Sequence, residues 1–161
     1  MTSKQYFKNL QIIFFALLFG QIWFAVCAYF INFYADGFDN SDASFTQILQ
    51  IIAVVLAVSS LLISTQVSKA FINKAKGEKT LKKKLESYRS ASIIKYALLE
   101  GPSLISSTFL LLTGDLFFFI ISLLIIAIFF IHKPSKEKTI ADLGLHYTEQ
   151  DLLKDENAIV A

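Results

Sequence analysis

Apolar residues in this chain come in long blocks, not in the stripe of every third or fourth position that a surface helix of a soluble protein shows. Four blocks stand out: Leu10–Phe33, Phe45–Val67, Ile93–Leu112 and Leu116–Ile131. A bilayer core requires about 20 largely apolar residues in helical form. The pattern therefore predicts an all-α integral membrane fold with four transmembrane helices. The fourth block has only 16 residues, about 24 Å at 1.5 Å per residue, and is expected to borrow His132 and Lys133 as snorkelling ends. Thr113-Gly114-Asp115 leaves room for no more than a tight turn between the third and fourth blocks. The first block runs for 24 residues, longer than the roughly 7–15 of a signal peptide's apolar core, so it reads as a retained helix.

Charge orients these blocks. Of the 15 basic residues, Lys4 and Lys8 precede the first block, eight lie between Lys69 and Arg89, and four follow the last block. Lys95 stands just inside the third block on the same side. The remaining connections, Tyr34–Ser44 and Thr113–Asp115, hold no Lys or Arg and carry Asp36, Asp39, Asp42 and Asp115. Lys and Arg gather in cytoplasmic loops, so both termini are expected in the cytoplasm of a bacterial inner-membrane protein. The expected organisation is a transmembrane domain over 1–132, with a basic cytoplasmic loop at 68–92, and a cytoplasmic tail over 133–161.

Composition agrees and narrows the chemistry. The chain is 55% hydrophobic with a mean hydropathy of +0.56, above the roughly 45–50% of soluble domains. Cys27 is the sole cysteine, which excludes an internal disulfide. No nucleophile–base pair, metal-ligand cluster or phosphate-cradling glycine loop is evident. The expectation is a protein that is not an enzyme and holds neither metal nor cofactor. The basic loop is interleaved with too few aromatics, Phe71 and Tyr88, to suggest nucleic acid. Its lysines Lys82, Lys83 and Lys84, with Arg89, read as contacts to anionic headgroups.

One polar stretch interrupts the third block: Tyr96-Ala97-Leu98-Leu99-Glu100-Gly101-Pro102-Ser103. A charged side chain at mid-membrane costs on the order of 3 kcal/mol, so Glu100 is expected as a neutral acid that both donates and accepts hydrogen bonds. Tyr96, Ser103 and Ser107 are its candidate partners. Gly101-Pro102 predicts a kink, because proline donates no amide and its ring crowds the preceding turn. Glu100 is either a proton- or cation-binding group or an interhelical clamp.

Residues 12–20 match 93–101 at six of nine positions. A duplicated two-helix hairpin would leave such a trace, and so would chance among helices drawn from few residue types. In this alignment Phe19 stands where Glu100 does. The run from Arg89 to Ile105, with Ile93-Ile94 and Ala97-Leu98-Leu99-Glu100-Gly101, resembles the carboxylate helix of the c subunit (proteolipid) of rotary ATP synthases. That resemblance implies an ion-carrying role for Glu100. The chain departs from the family in having six glycines in all and none in the second block. As a whole it is similar to small uncharacterised four-helix inner-membrane proteins of Bacteroidetes type.

After Pro134 the tail is expected to form a short helix from about Glu149, capped by Thr148 and Asp151, with a modest apolar face of Leu143, Leu145, Leu152 and Leu153 to lie against either the basic loop or another subunit. The expected function is that of a small structural or accessory subunit of a bacterial inner-membrane complex. Its expected partners are membrane lipids and either other subunits or further copies of itself, with no nucleic acid. The alternative is a proton- or cation-coupled transporter or channel element using Glu100.

Overall fold

In the computed structural model the described residues are 1–34 and 42–160. Asp36 and Asp39 of the acidic connection lie outside them. Among the described residues the chain is helical: α1 Ser3–Tyr34, α2 Ala43–Lys76, α3 Leu81–Thr113, α4 Leu116–Ile131, α5 Lys136–Leu143 and α6 Tyr147–Lys154. Two of these, α1 and α2, are long and apolar enough to cross a membrane.

The first three helices outrun the apolar blocks that announce them. The basic segment expected as a loop at 68–92 is mostly helix, and only residues 77–80 turn. Helical spacing accounts for it: Leu85, Tyr88 and Ser92 are buried along one side of α3, while Lys82, Lys83 and Glu86 face out. α3 continues from Leu81 through Pro102 to Thr113 as one helix.

The contacts group the residues into two units. One comprises Met1–Phe15, Thr65–Lys95 and Lys133–Ala161; the other comprises Ala16–Ser64 and Tyr96–His132.

The first unit is built as a soluble protein is. Tyr6, Phe7, Leu10, Leu85, Tyr88, Leu143, Leu145, Leu153 and Val160 are buried. The Tyr6 hydroxyl donates to the Leu85 carbonyl at 2.7 Å and the Ser3 hydroxyl to the Leu153 carbonyl at 2.5 Å. The two ends of the chain pair with each other: Ser3 N–H donates to Ala158 O at 3.0 Å and Val160 N–H to Met1 O at 3.1 Å, around a bridge between Thr2 and Ile159. Tail helix α5 starts at an N-cap serine, Ser135, whose hydroxyl accepts from Lys138 N–H, and ends at Gly144 in the left-handed region, φ 59°. α6 begins earlier than expected. Its N-cap is His146, whose backbone N–H donates to Glu149 Oε2 at 3.1 Å, so Thr148 and Asp151 lie within the helix and do not cap it.

The second unit carries large apolar residues on its surface as well as in its interior, where Leu99, Leu110 and Phe129 are buried. Its surface is Phe19, Trp23, Phe30, Val55, Val58, Leu62, Leu124 and Phe130, with Trp23 62% exposed. Its interior holds Gln21, Ser60, Ser64, Ser103, Ser106, Ser107 and Ser122 beside Ala25, Ala28, Ala53 and Phe118. In water such a surface would be unstable; against lipid tails it is the expected arrangement, because helices then associate through small and hydroxyl residues rather than by hiding apolar area. The turn between α3 and α4 is clasped from two other helices. Asn32 Nδ2 donates to Gly114 O at 3.0 Å, and Gln50 Nε2 donates to Asp115 Oδ2 at 2.6 Å. Asp115 Oδ1 meanwhile caps α4 through Phe117 N–H at 2.9 Å. Gly114 needs its φ of 72°, and a Cβ there would lie 3.2 Å from Asn32 Oδ1.

Candidate functional site in the apolar-surfaced unit

α3 supplies most of the polar side chains here, and its buried positions define one stripe. Tyr96, Leu99, Ser103, Ser106, Ser107 and Leu110 are buried, whereas Ala97, Ile105, Thr108 and Leu112 are exposed. At 100° per residue, Glu100 falls beside Ser107 at the rim of the buried stripe, with Ala97 and Thr108 on its outer side. It is half-buried. No hydrogen bond or ion pair engages its carboxyl among the described residues. A Cβ at the neighbouring Gly101 would meet nothing within 4 Å.

The hydroxyls expected to support Glu100 are engaged elsewhere. Ser122 of α4 lies 3.0 Å from Ser103 Oγ and 3.0 Å from Ser107 Oγ, and Ser107 Oγ also donates to Ser103 O at 3.0 Å. These three serines form a closed knot between α3 and α4. The Tyr96 hydroxyl donates to the His132 carbonyl at 3.3 Å, which ties α3 to the end of α4. The knot includes neither an imidazole nor a carboxylate, so nothing in it raises the nucleophilicity of a serine. It is a clamp. Thr108 on the outer side turns its hydroxyl back to Leu104 O at 3.0 Å.

Two interior groups are left over. Both polar atoms of the Gln21 amide, and Ser106 Oγ, are buried with no hydrogen-bond partner. A buried amide without partners costs roughly 1–3 kcal/mol, so Gln21 marks a place where the interior is polar beyond what packing requires.

The residues assigned to headgroup contact divide. Lys82 and Lys83 are exposed, as that role requires, and Arg89 is half-buried. Lys84 is buried and ion-paired instead, its ammonium 2.7 and 3.0 Å from the two Glu149 oxygens. Neighbouring Tyr88 donates to Asp142 Oδ2 at 3.0 Å. Burial alone would raise the pKa of Glu149. The hydrogen bond and charge of Lys84, with the His146 N–H, outweigh that and hold the carboxyl below the ordinary range. In sequence Lys84 is one of three consecutive lysines; only its helical register, one position before Leu85 and four before Tyr88, distinguishes it.

Among the described residues no group of three His, Cys, Asp or Glu side chains is placed to hold a metal ion. Comparison with protein-family models, with curated proteins and with solved structures finds no match to this chain.

Proposed function

We propose that this chain is a four-span protein of a bacterial inner membrane, both termini cytoplasmic, acting as a small structural or accessory subunit that engages a partner along the Glu100 edge of α3. The observation that carries this reading is Glu100 itself: half-buried, unpaired, and at the rim of the buried stripe instead of within it. An acid group without a partner is costly in lipid, and a second subunit or a second copy offering donors would satisfy it.

Hydrogen bonds inside the chain support four crossings. If α1 crosses, Tyr6 and Asn32 lie on opposite faces of the membrane. Tyr6 bonds Leu85 and Asn32 bonds Gly114, so α3, which joins those two places, crosses as well. α4 then returns, since Ser3 bonds Leu153. The segregation of basic residues supports the orientation.

A second reading draws on the same carboxyl. With open space at Gly101 and a helix that resembles the carboxylate helix of proteolipids, Glu100 suits a proton or cation carried at the helix surface. Purification in mild detergent separates the two. Under the subunit reading a partner or second copy co-purifies, survives Glu100→Gln, which keeps the hydrogen bond, and is lost with Glu100→Leu. Under the ion reading Glu100 reacts with a hydrophobic carbodiimide, sodium or high pH suppresses the reaction, and Glu100→Gln abolishes function. Full function and assembly in both variants contradict both readings.

A further inference from the structure

The first turns of α1 and the start of α5 line a groove of Lys4, Phe7, Lys8, Gln11, Lys136 and Glu156. Three ammonium groups meet there with one carboxylate. Glu156 Oε2 lies 2.9 Å from Lys4 Nζ, and Oε1 lies 4.0 Å from Lys136 Nζ. The Lys8 ammonium and the Gln11 amide have no partner among the described residues. An internal carboxylate thus already rests between two lysines, while donors for a further anion stand unused. One turn further along α1 the surface becomes apolar, with Ile12 and Phe15 exposed. Lys133 extends its ammonium over the Phe15 ring, 5.5 Å from the centroid, with the apolar stem and charged tip of a lysine at a membrane interface.

We infer that this groove binds the phosphate of an anionic phospholipid headgroup, its acyl chains running along the exposed apolar side of α1. Position selects a lipid over a free anion. The unmatched donors border the apolar surface, and a lipid can satisfy both where a soluble ion satisfies only the donors. Glu156 occupies part of the same groove and competes with the incoming phosphate. Lys4 and Lys136 hold its carboxyl below the ordinary pKa range, the Lys4 hydrogen bond contributing most, so it competes as an anion at neutral pH. The inference rests on α1 crossing a membrane and is independent of any role for Glu100.

The test uses the full chain in nanodiscs of mixed phosphatidylcholine and phosphatidylglycerol, with native mass spectrometry counting the lipids retained. Wild type should retain phosphatidylglycerol preferentially. Replacing Lys4, Lys8 and Lys136 by Gln should reduce that enrichment by roughly fivefold per lysine. Glu156→Gln should increase it, and Lys82→Gln with Lys83→Gln, outside the groove, should leave it unchanged. Excess inorganic phosphate should not displace the lipid. Undiminished enrichment in the triple variant, loss of enrichment in Glu156→Gln, or displacement by phosphate each overturns the inference. Failure of the wild-type chain to enter nanodiscs would instead refute the membrane reading beneath it.

Discussion

The two units of this chain both bury apolar side chains and differ in what they leave outside. Around Leu85 and Leu153 the interior is apolar and the surface is lysine and glutamate. Around Ser122 hydroxyls and an amide share the interior with Leu99, Leu110, Phe118 and Phe129, and the surface is phenylalanine, valine and leucine. Helices α1, α2 and α3 contribute residues to both units, so what stands on the surface changes along a single helix. A second unit set in lipid, as proposed, would explain the change. In water, burial of apolar area drives packing; in lipid that drive is absent, and small residues and interhelical hydrogen bonds take over.

The contrast breaks first where a polar group replaces an apolar one in the water-type core. Leu153→Ser should cost about 3 kcal/mol or more, from lost burial and from the cavity that remains, read as a lowered unfolding midpoint. Lys84→Ala should cost nearly as much, about 3 kcal/mol, because it leaves Glu149 semi-buried without its counter-ion. Lys84→Met combined with Glu149→Leu should recover most of that loss. The same pair predicts a pH effect. Glu149 has a lowered pKa in the fold, so its contribution is complete above the unfolded carboxyl value of about 4.3 and is lost as pH falls through the folded value. A pH series of unfolding midpoints should show this loss in wild type and not in Glu149→Gln.

Effects in the lipid-type unit should be smaller. Ser122→Ala unties the knot and should cost only about 0.6–1.7 kcal/mol, the range of hydrogen bonds between membrane helices. Gln21→Leu should reverse the sign seen at Leu153. Removing an amide that has no partner should leave stability unchanged or raise it by about 1 kcal/mol. A loss as large as that of Leu153→Ser would show that Gln21 has a partner, such as a bound water, in the working protein.

Much of the fold is legible in sequence because it depends on composition over long windows. The apolar blocks announce four helices, α4 spans Leu116–Ile131 as its block does, and the tight turn at Gly114 follows from three residues. What is not legible depends on register and on distant partners. The run Lys82-Lys83-Lys84 looks uniform, yet one member is buried because helical geometry brings it opposite Glu149, 65 residues away. Ser103 and Ser107 lie within reach of Glu100 along the helix, but Ser122 on α4 claims both. The apolar face of the tail is legible in Leu143, Leu145 and Leu153, but nothing local decides what it packs against; all three are buried in the unit that holds Tyr6 and Leu10. Glu100 was visible as an anomaly; its place at the rim required the burial pattern of the whole helix.

The proposed topology requires α1 to α4 each to carry an apolar side into lipid. Single cysteines on a Cys27→Ser background at Phe19, Val58, Ile105 and Leu124 place one exposed position on each of α1 to α4, and a fifth at Lys83 serves as the aqueous reference. Spin labels at these sites in liposomes, relaxed by oxygen or by a water-soluble nickel chelate, report lipid or water directly. Four crossings require oxygen-dominated relaxation at all four and chelate-dominated relaxation at Lys83. Chelate-dominated relaxation at Ile105 and Leu124 would contradict it, leaving α1 and α2 as the only crossings.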